Sequence, residues 1–175
     1  MLWLAIGVLI LVLLFSLVVL RGAPYVPSLG KTLAPAFLEL YRLGPSDVLV
    51  DVGSGDGVVL RHASRLGAQA VGYEINPILV LVSRLLSWGD PRVRVVFTDF
   101  WFSKLPADTT VVYVFTVTRD VAKMVRFLQQ EVNRIGHPIS VISLGFELNG
   151  VDLTARHGAH NLYLLKPLQT NQAQV

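Results

Sequence analysis

The segment that most narrows the possible folds is VLVDVGSGDG, residues 48–57. Its first five residues are apolar apart from Asp51, a pattern typical of a strand buried on both faces of a parallel sheet. Three glycines at alternate positions follow, and glycine reaches the positive φ angles that a tight turn into a helix requires. The segment therefore predicts a strand that turns directly into a helix.

Strands and helices alternate through the rest of the chain. The predicted strands cover 48–52, 70–74, 92–98, 111–115 and 139–144, with a closing hairpin over 151–155 and 161–166. The predicted helices cover 31–43, 58–66, 77–88 and 120–135. This alternation predicts an α/β fold: a Rossmann-like open, mostly parallel sheet with helices on both faces.

The first residues have a different character. Leu2 to Leu20 carry no charge, and at about 1.5 Å of rise per residue they reach roughly 28 Å, near the hydrocarbon thickness of a bilayer. A signal peptide would begin with basic residues, and a buried core helix would keep a polar stripe. We therefore expect a single transmembrane helix over 1–21, with Trp3 at the interface. Arg21 and Lys31 are the first cations after the apolar run, and the positive-inside bias predicts that the remaining chain lies in the cytoplasm.

Composition supports one compact domain behind this anchor. We expect a proline-containing linker and helix over 22–46, the sheet domain over 47–167 and a disordered tail over 168–175. The sequence has no cysteine, which excludes disulfides, thiolate metal sites and cysteine nucleophiles. Its net charge is +3 with scattered Lys and Arg, so no nucleic-acid partner is predicted.

Ligands of such sheets bind at the carboxyl ends of the strands, where this sequence places several acids. Asp51 and Asp56 lie in the glycine turn, Glu74 ends the second strand, and Asp99 follows the third. Carboxylates repel a diphosphate and favour a cation, which argues against a nicotinamide dinucleotide, whose usual motif is G-x-G-x-x-G. A ligand with an ammonium and a sulfonium, such as S-adenosylmethionine, fits this charge.

The cofactor can be placed on these strand ends. Glu74 is positioned to accept both ribose hydroxyls and Asp99 to accept from the adenine amino group, while Phe100 or Trp101 could stack on the purine. The predicted cofactor-binding residues are Asp51, Gly53, Ser54, Gly55, Asp56, Gly57, Glu74, Asn76, Asp99 and Phe100.

The order of these motifs resembles that of the class I S-adenosylmethionine-dependent methyltransferases. A narrower resemblance rests on an apolar amino-terminal run, PYVPS, VDVGSGDG, GYEINP, Ser83-Arg84 and TDFW. Together they resemble the membrane-anchored protein-lysine N-methyltransferases whose mitochondrial members modify the ATP synthase c-subunit and the adenine nucleotide translocase. The resemblance implies methyl transfer to a lysine of a membrane-embedded protein. Two segments depart from the family pattern, VFTVT after the fourth strand and GFELN after the fifth, which leaves the acceptor open.

Methyl transfer to an amine needs alignment and a deprotonated lysine, which a poorly hydrated entrance favours. Tyr25 in the linker and Asp99 or Trp101 opposite it are the candidates to line that entrance. A lipid or small-molecule methyltransferase, and a non-catalytic cofactor-binding membrane module, remain as alternatives. His157 and His160 form H-x-x-H, but no acid lies near them in sequence, so no metal site is predicted. The sequence leaves the oligomeric state open.

Overall fold

The computed structural model describes residues 30–116 and 118–168, together with positions 1, 3, 6 and 7. The predicted linker with Tyr25, nearly all of the predicted membrane helix and residues 169–175 lie outside the described residues. Among the helices that are described, none is both long and apolar enough to cross a membrane.

The described chain forms a sheet of seven strands in the order β3-β2-β1-β4-β5-β7-β6. The strands are β1 Val48–Val52, β2 Gln69–Glu74, β3 Val93–Phe97, β4 Val111–Val114, β5 Ile139–Leu144, β6 Leu153–His157 and β7 His160–Leu165. The first five are parallel, while β7 runs antiparallel to both β5 and β6. The predicted mostly parallel Rossmann-like sheet with a closing hairpin is confirmed.

Four helices and two short 3₁₀ turns precede or connect the described strands. The helices are α1 Gly30–Pro35, which continues as a π-helical segment over Ala36–Leu40, α2 Val58–Arg65, α3 Pro77–Leu86 and α4 Val121–Ile135. The 3₁₀ turns are Phe100–Phe102 and Thr118–Asp120.

The first described helix ends earlier than the sequence predicts. Tyr41 is already extended, with a φ of −132°. Its hydroxyl donates to Asp47 Oδ1 at 2.8 Å, and the amide of Gly44 donates to Asp47 Oδ2 at 2.8 Å. Residues 41–44 therefore leave the helix because Asp47, at the entrance to β1, offers these donors a carboxylate.

Helices cover both faces of the sheet, as predicted. Alternate residues of the central strands point to opposite faces, so Leu49 and Val50 enter different cores. The core around Leu49 includes residues of α1, α2 and α3. The core around Val50 includes Met124, Leu128 and Val132 of α4. The central strands are thus buried on both faces, which explains their nearly continuous apolar sequence.

This topology collects the polar residues at one edge. The carboxyl ends of β1 to β5 share that edge because the five strands are parallel. The β6–β7 turn lies there too, since His160 at the start of β7 pairs with Leu144 at the end of β5. The glycine turn, Glu74 and Asp99 therefore lie on the same side of the molecule.

Candidate cofactor site

The glycine turn has the backbone conformation that the sequence predicts. Gly53, Gly55 and Gly57 have φ angles of 87°, 55° and 79°. The amides of Gly53 and Ser54 both donate to the main-chain oxygen of Tyr73, at 2.9 and 3.0 Å. The turn is therefore held to the neighbouring strand β2.

The glycines at this edge serve different purposes. A Cβ added to Gly53 would meet no described atom within 4 Å, so Gly53 borders open space that a ligand can enter. A Cβ on Gly57 would lie 2.1 Å from Ser83 Oγ, and one on Gly72 would lie 2.5 Å from Ser54 Oγ. Gly57 therefore lets α3 pack against the turn, and Gly72 of β2, which was not among the predicted site residues, makes room for Ser54.

Glu74 holds the turn with both of its carboxylate oxygens. Oε2 accepts from the amide of Gly55 at 2.8 Å, and Oε1 accepts from the amide of Asn76 at 2.7 Å. The residue is 7% exposed. Each carboxylate oxygen has a second lone pair, so Glu74 can still accept two hydroxyl protons.

Asp51 places a second carboxyl group beside Glu74. It is 4% exposed and accepts no hydrogen bond from the described part of the chain. Burial raises the pKa of Asp51 well above its ordinary value, and the charges of Glu74 and Asp56 raise it further. A cation bound here would favour the ionised form.

Asp56 is already paired with other groups. Its Oδ2 lies 3.5 Å from Arg61 Nη2, and its Oδ1 accepts from the amide of Val58 at 3.3 Å. Arg61 Nη1 also donates to the main-chain oxygen of Asp56 at 2.6 Å. Asp56 therefore fixes the start of α2.

Three short polar side chains surround the turn. Asn76 caps α3, because its Oδ1 accepts from the amides of Ile78 and Leu79 at 2.9 and 3.4 Å. The hydroxyls of Ser54 and Ser83 are buried and have no hydrogen-bond partner among the described residues. Asn76 thus has a structural task that its sequence position already indicates.

The structure places Asp99 at the same edge of the sheet as Glu74, one strand further out. The amide of Thr98 donates to the main-chain oxygen of Glu74 at 2.9 Å, and Asp99 is the next residue. Asp99 Oδ1 accepts from the amide of Trp101 at 3.0 Å and so fixes the 3₁₀ turn that carries the two aromatic candidates.

Phe100 and Trp101 belong to an aromatic cluster against α4. Their ring centroids are 4.4 Å apart, and each lies 5.9 Å from the ring of Phe127. Lys123 Nζ lies 3.9 Å from the centre of the Trp101 ring. Phe127 and Lys123 were not among the predicted site residues, because only the fold brings α4 to this position.

The two histidines of H-x-x-H have different partners. His160 is buried, with Nε2 3.0 Å from the Tyr113 hydroxyl, and its pKa is lowered by burial and by His157. His157 Nδ1 lies 3.4 Å from Glu39 Oε2. Over residues 30–116 and 118–168, no three potential metal-ligating side chains group together.

The strand order, the acid-and-glycine turn after β1 and the buried carboxylate at the end of β2 define a class I methyltransferase fold. Comparison with known proteins then gives the family. The ANTKMT methyltransferase domain matches residues 51–155, and this chain belongs to that family. The resemblance to S-adenosylmethionine-dependent methyltransferases, which rests on the strand-end motifs, is confirmed.

Two curated relatives illustrate the extent of the similarity. A lysine N-methyltransferase of the ATP synthase c-subunit from Xenopus laevis is 35% identical over 112 residues, which cover 62% of this chain and 48% of the relative. An adenine nucleotide translocase lysine N-methyltransferase from Mus musculus is 41% identical over 66 residues, covering 37% and 28%. The chain thus spans about half the length of the first relative.

A solved structure has a similar fold over most of the chain. It is an RNA methyltransferase from Salinibacter ruber in complex with S-adenosyl-L-homocysteine, with a TM-score of 0.69 and 27% sequence identity. The match covers 84% of this chain and 97% of that one.

Proposed function

We propose that this chain is an S-adenosylmethionine-dependent methyltransferase that acts on a lysine amine of a membrane-embedded protein. The observation that carries the proposal is the pair of buried carboxyl groups, Asp51 and Glu74, beside the open space at Gly53. When bound, S-adenosylmethionine supplies a methyl group on a positively charged sulfur. The site fits such a cation better than a dinucleotide phosphate.

Each group of the cofactor has a partner of suitable chemistry. Glu74 has two unused lone pairs for the ribose hydroxyls, since its backbone bonds use one on each oxygen. Asp51 would balance the positive charge of the methionine part. Asp99 and Phe100, beyond β3, would bind adenine. The main chain at Gly53 allows close approach because nothing described occupies the space where a side chain would stand.

In the bound complex the acceptor nitrogen would take the methyl group that the cofactor supplies, with the cofactor's sulfur as the leaving group. The amine must first lose its proton, because an ammonium group has no lone pair. Trp101 is suited to line the entrance, since it is half-buried and its apolar ring would limit the hydration of an incoming amine, which favours the neutral form. Tyr25 and Asp99 are the other residues that we propose for this entrance.

The proposed location follows from the first residues. An uncharged run from Leu2 to Leu20 would anchor the enzyme in a bilayer as a single-pass protein, with its catalytic domain facing the cytoplasm. Confinement to the membrane surface would raise the effective concentration near membrane-embedded acceptors. The names of the curated relatives, lysine N-methyltransferases of the ATP synthase c-subunit and of the adenine nucleotide translocase, support this acceptor class.

RNA methylation is the second candidate, because the Salinibacter ruber protein is an RNA methyltransferase and aligns over 84% of this chain. Its test is part of the same experiment. The full chain in detergent would be incubated with methyl-labelled cofactor and either host membranes or total RNA. Label recovered on lysine peptides by mass spectrometry supports the proposal, whereas label in RNA supports the second candidate.

The same experiment separates lipid methylation, small-molecule methylation and a non-catalytic role. Label only in lipid extracts or small molecules would replace the lysine acceptor, and cofactor binding without transfer to any fraction would indicate a non-catalytic module. Gly53→Val should abolish labelling by placing a side chain in the open space; because Gly53 has a φ of 87°, circular dichroism must first show that the variant is folded. Glu131→Gln, a change on α4, serves as the folded control.

A further inference from the structure

One side of α3 exposes large apolar residues that the folded domain leaves uncovered. Val80 and Ser83 face the sheet and are 4% and 0% exposed. Leu81, Leu85 and Trp88 are 58%, 58% and 85% exposed. Their spacing of four and then three residues places them along one line of the helix and its carboxyl-terminal turn.

The edge strand extends this exposed region. Val95 of β3 packs with Val80 in the same core, and Phe97, two residues further on, points to the same face of the sheet. Phe97 is 57% exposed, and Leu86 at the end of α3 is 56% exposed. The α3 apolar surface is defined here as Leu81, Leu85, Leu86, Trp88 and Phe97.

The neighbouring edge of the sheet is protected against strand pairing. β3 is an outer strand of the described sheet. Arg84 extends from α3 and donates from Nε and Nη2 to the main-chain oxygen of Val95, at 3.2 and 2.9 Å. A side chain that occupies an edge carbonyl works against addition of another strand. The surface is thus suited to a partner that contacts side chains rather than extending the sheet.

Basic residues lie beside the apolar ones. Arg84 on α3 and Arg92, immediately before β3, are exposed. The acid among them, Asp90, accepts hydrogen bonds from the Ser64 hydroxyl and from the amide of Arg92. An apolar surface with an exposed tryptophan and a basic border complements the interface of an anionic bilayer.

We propose that the α3 apolar surface lies on an anionic phospholipid bilayer and forms a membrane contact separate from the amino-terminal run. α3 begins at Pro77, three residues after Glu74, so one end of the surface adjoins the cofactor site. Ten helical residues span about 15 Å. Contact along α3 would therefore hold the site within about this distance of the lipid headgroups. Lipid binding by this surface does not depend on methyl transfer.

Site-directed spin labelling of the full chain tests this contact. Because the sequence contains no cysteine, Leu85→Cys provides a single labelling site. Gln130→Cys, exposed on α4 over the opposite face of the sheet, is the matched control. In vesicles of phosphatidylcholine and phosphatidylserine, the label at 85 should collide more with oxygen and less with a water-soluble nickel complex than the label at 130.

Other patterns would overturn the proposal. Equal nickel accessibility at 85 and 130 would show that the surface stays in water. Shielding from both reagents in detergent would show that another part of the chain covers it, and spin–spin broadening that disappears on dilution with unlabelled protein would show self-association. The variant Arg92→Glu should weaken the oxygen preference at 85 in anionic vesicles only. Since no cofactor or acceptor is present, failure here is distinguishable from failure of the methyltransferase proposal.

Discussion

Replacing Glu74 should reduce both folding stability and cofactor affinity, because this side chain has two tasks. Its oxygens accept from the amides of Gly55 and Asn76 at 2.8 and 2.7 Å, and it is 7% exposed. Glu74→Gln keeps one oxygen acceptor but turns an NH₂ group towards the other amide. One buried donor then lacks an acceptor, which costs about 1–3 kcal/mol of unfolding free energy. Glu74→Ala leaves both donors unpaired, so the expected loss is about 2–6 kcal/mol.

The effect on cofactor affinity follows from the unused lone pairs. A hydrogen bond from a ribose hydroxyl to a carboxylate contributes about 1.5–3 kcal/mol, and its loss weakens binding by about 10- to 150-fold. Glu74→Gln should lose about this factor in the Kd for S-adenosylmethionine, measured by calorimetry on protein shown to be folded by circular dichroism. Glu74→Ala should bind more weakly still.

The matched control is Glu131→Gln. Glu131 is 8% exposed and its Oε2 accepts from the amide of Leu105 at 2.6 Å and from Arg134 Nη2 at 2.6 Å. The bonds that it makes resemble those of Glu74, but it lies on α4, away from the glycine turn. It should lose stability in urea unfolding and keep the parental Kd. A Glu74→Gln variant that also keeps the parental Kd would refute the assignment of Glu74 to the ribose.

Three further predictions concern neighbouring groups. Burial and the charges of Glu74 and Asp56 raise the pKa of Asp51, so ionising this carboxyl group costs folding stability as the pH rises above its usual pKa of 3.8. Asp51→Asn should therefore raise the thermal midpoint of the cofactor-free protein and lower its affinity for S-adenosylmethionine about tenfold or more. Unchanged affinity would contradict a role of Asp51 in binding. Gly57→Ala should lower the free energy of unfolding in urea more than Gly89→Ala does. The two glycines have nearly equal φ angles, 79° and 78°, but a Cβ at 57 would lie 2.1 Å from Ser83 Oγ, whereas one at 89 would meet no described atom within 4 Å. Equal losses would show that backbone strain alone accounts for the destabilisation. Burial and, to a smaller extent, His157 lower the pKa of His160, so folding stability should fall as the pH drops below 6.5, the ordinary pKa of histidine, towards the lower pKa of the folded protein. His160→Gln should reduce the loss in unfolding free energy between about pH 7.5 and pH 5.5. An unchanged loss would assign that pH dependence to other groups.

The parts of the fold that the sequence predicts well depend on local patterns. The strand at residues 48–52 and the turn at Gly53 follow from an apolar run and from glycine's access to positive φ. The alignment of Glu74 with Asp99 follows from parallel pairing, which brings successive strand ends to one edge. These inferences need only residue type, spacing and the rules of parallel sheets.

Contacts between distant residues were beyond such reasoning. The pairing of Gly57 with Ser83, and of Gly72 with Ser54, depends on how α3 and β2 pack against the turn. Phe127 reaches Phe100 only because α4 crosses the same face as the 3₁₀ turn. The end of the first described helix depends on Asp47, which holds the Tyr41 hydroxyl. Burial, reinforced by this carboxylate, raises the pKa of Tyr41 to about 12.

The loop after β5 has its own polar framework, in a segment where the sequence departs from the family pattern. In the loop after β5, the main-chain oxygen of Phe146 accepts from Ser143 Oγ at 2.6 Å and from Asn161 Nδ2 at 2.7 Å. The Tyr163 hydroxyl accepts from the amide of Leu148 at 3.1 Å. Buried groups of β5 and β7 thus fix this loop at the same edge as the cofactor site.

A recess of about 210 Å³ opens between this loop and the β6–β7 turn, and the ion pair of Glu147 with Arg156 lines it. Pockets for whole small molecules typically measure about 300–1,000 Å³. The recess is therefore better suited to a single protruding side chain than to a complete metabolite. We expect substitutions of Glu147 and Arg156, which line the recess, to change acceptor specificity in the labelling experiment and to leave the Kd for S-adenosylmethionine unchanged.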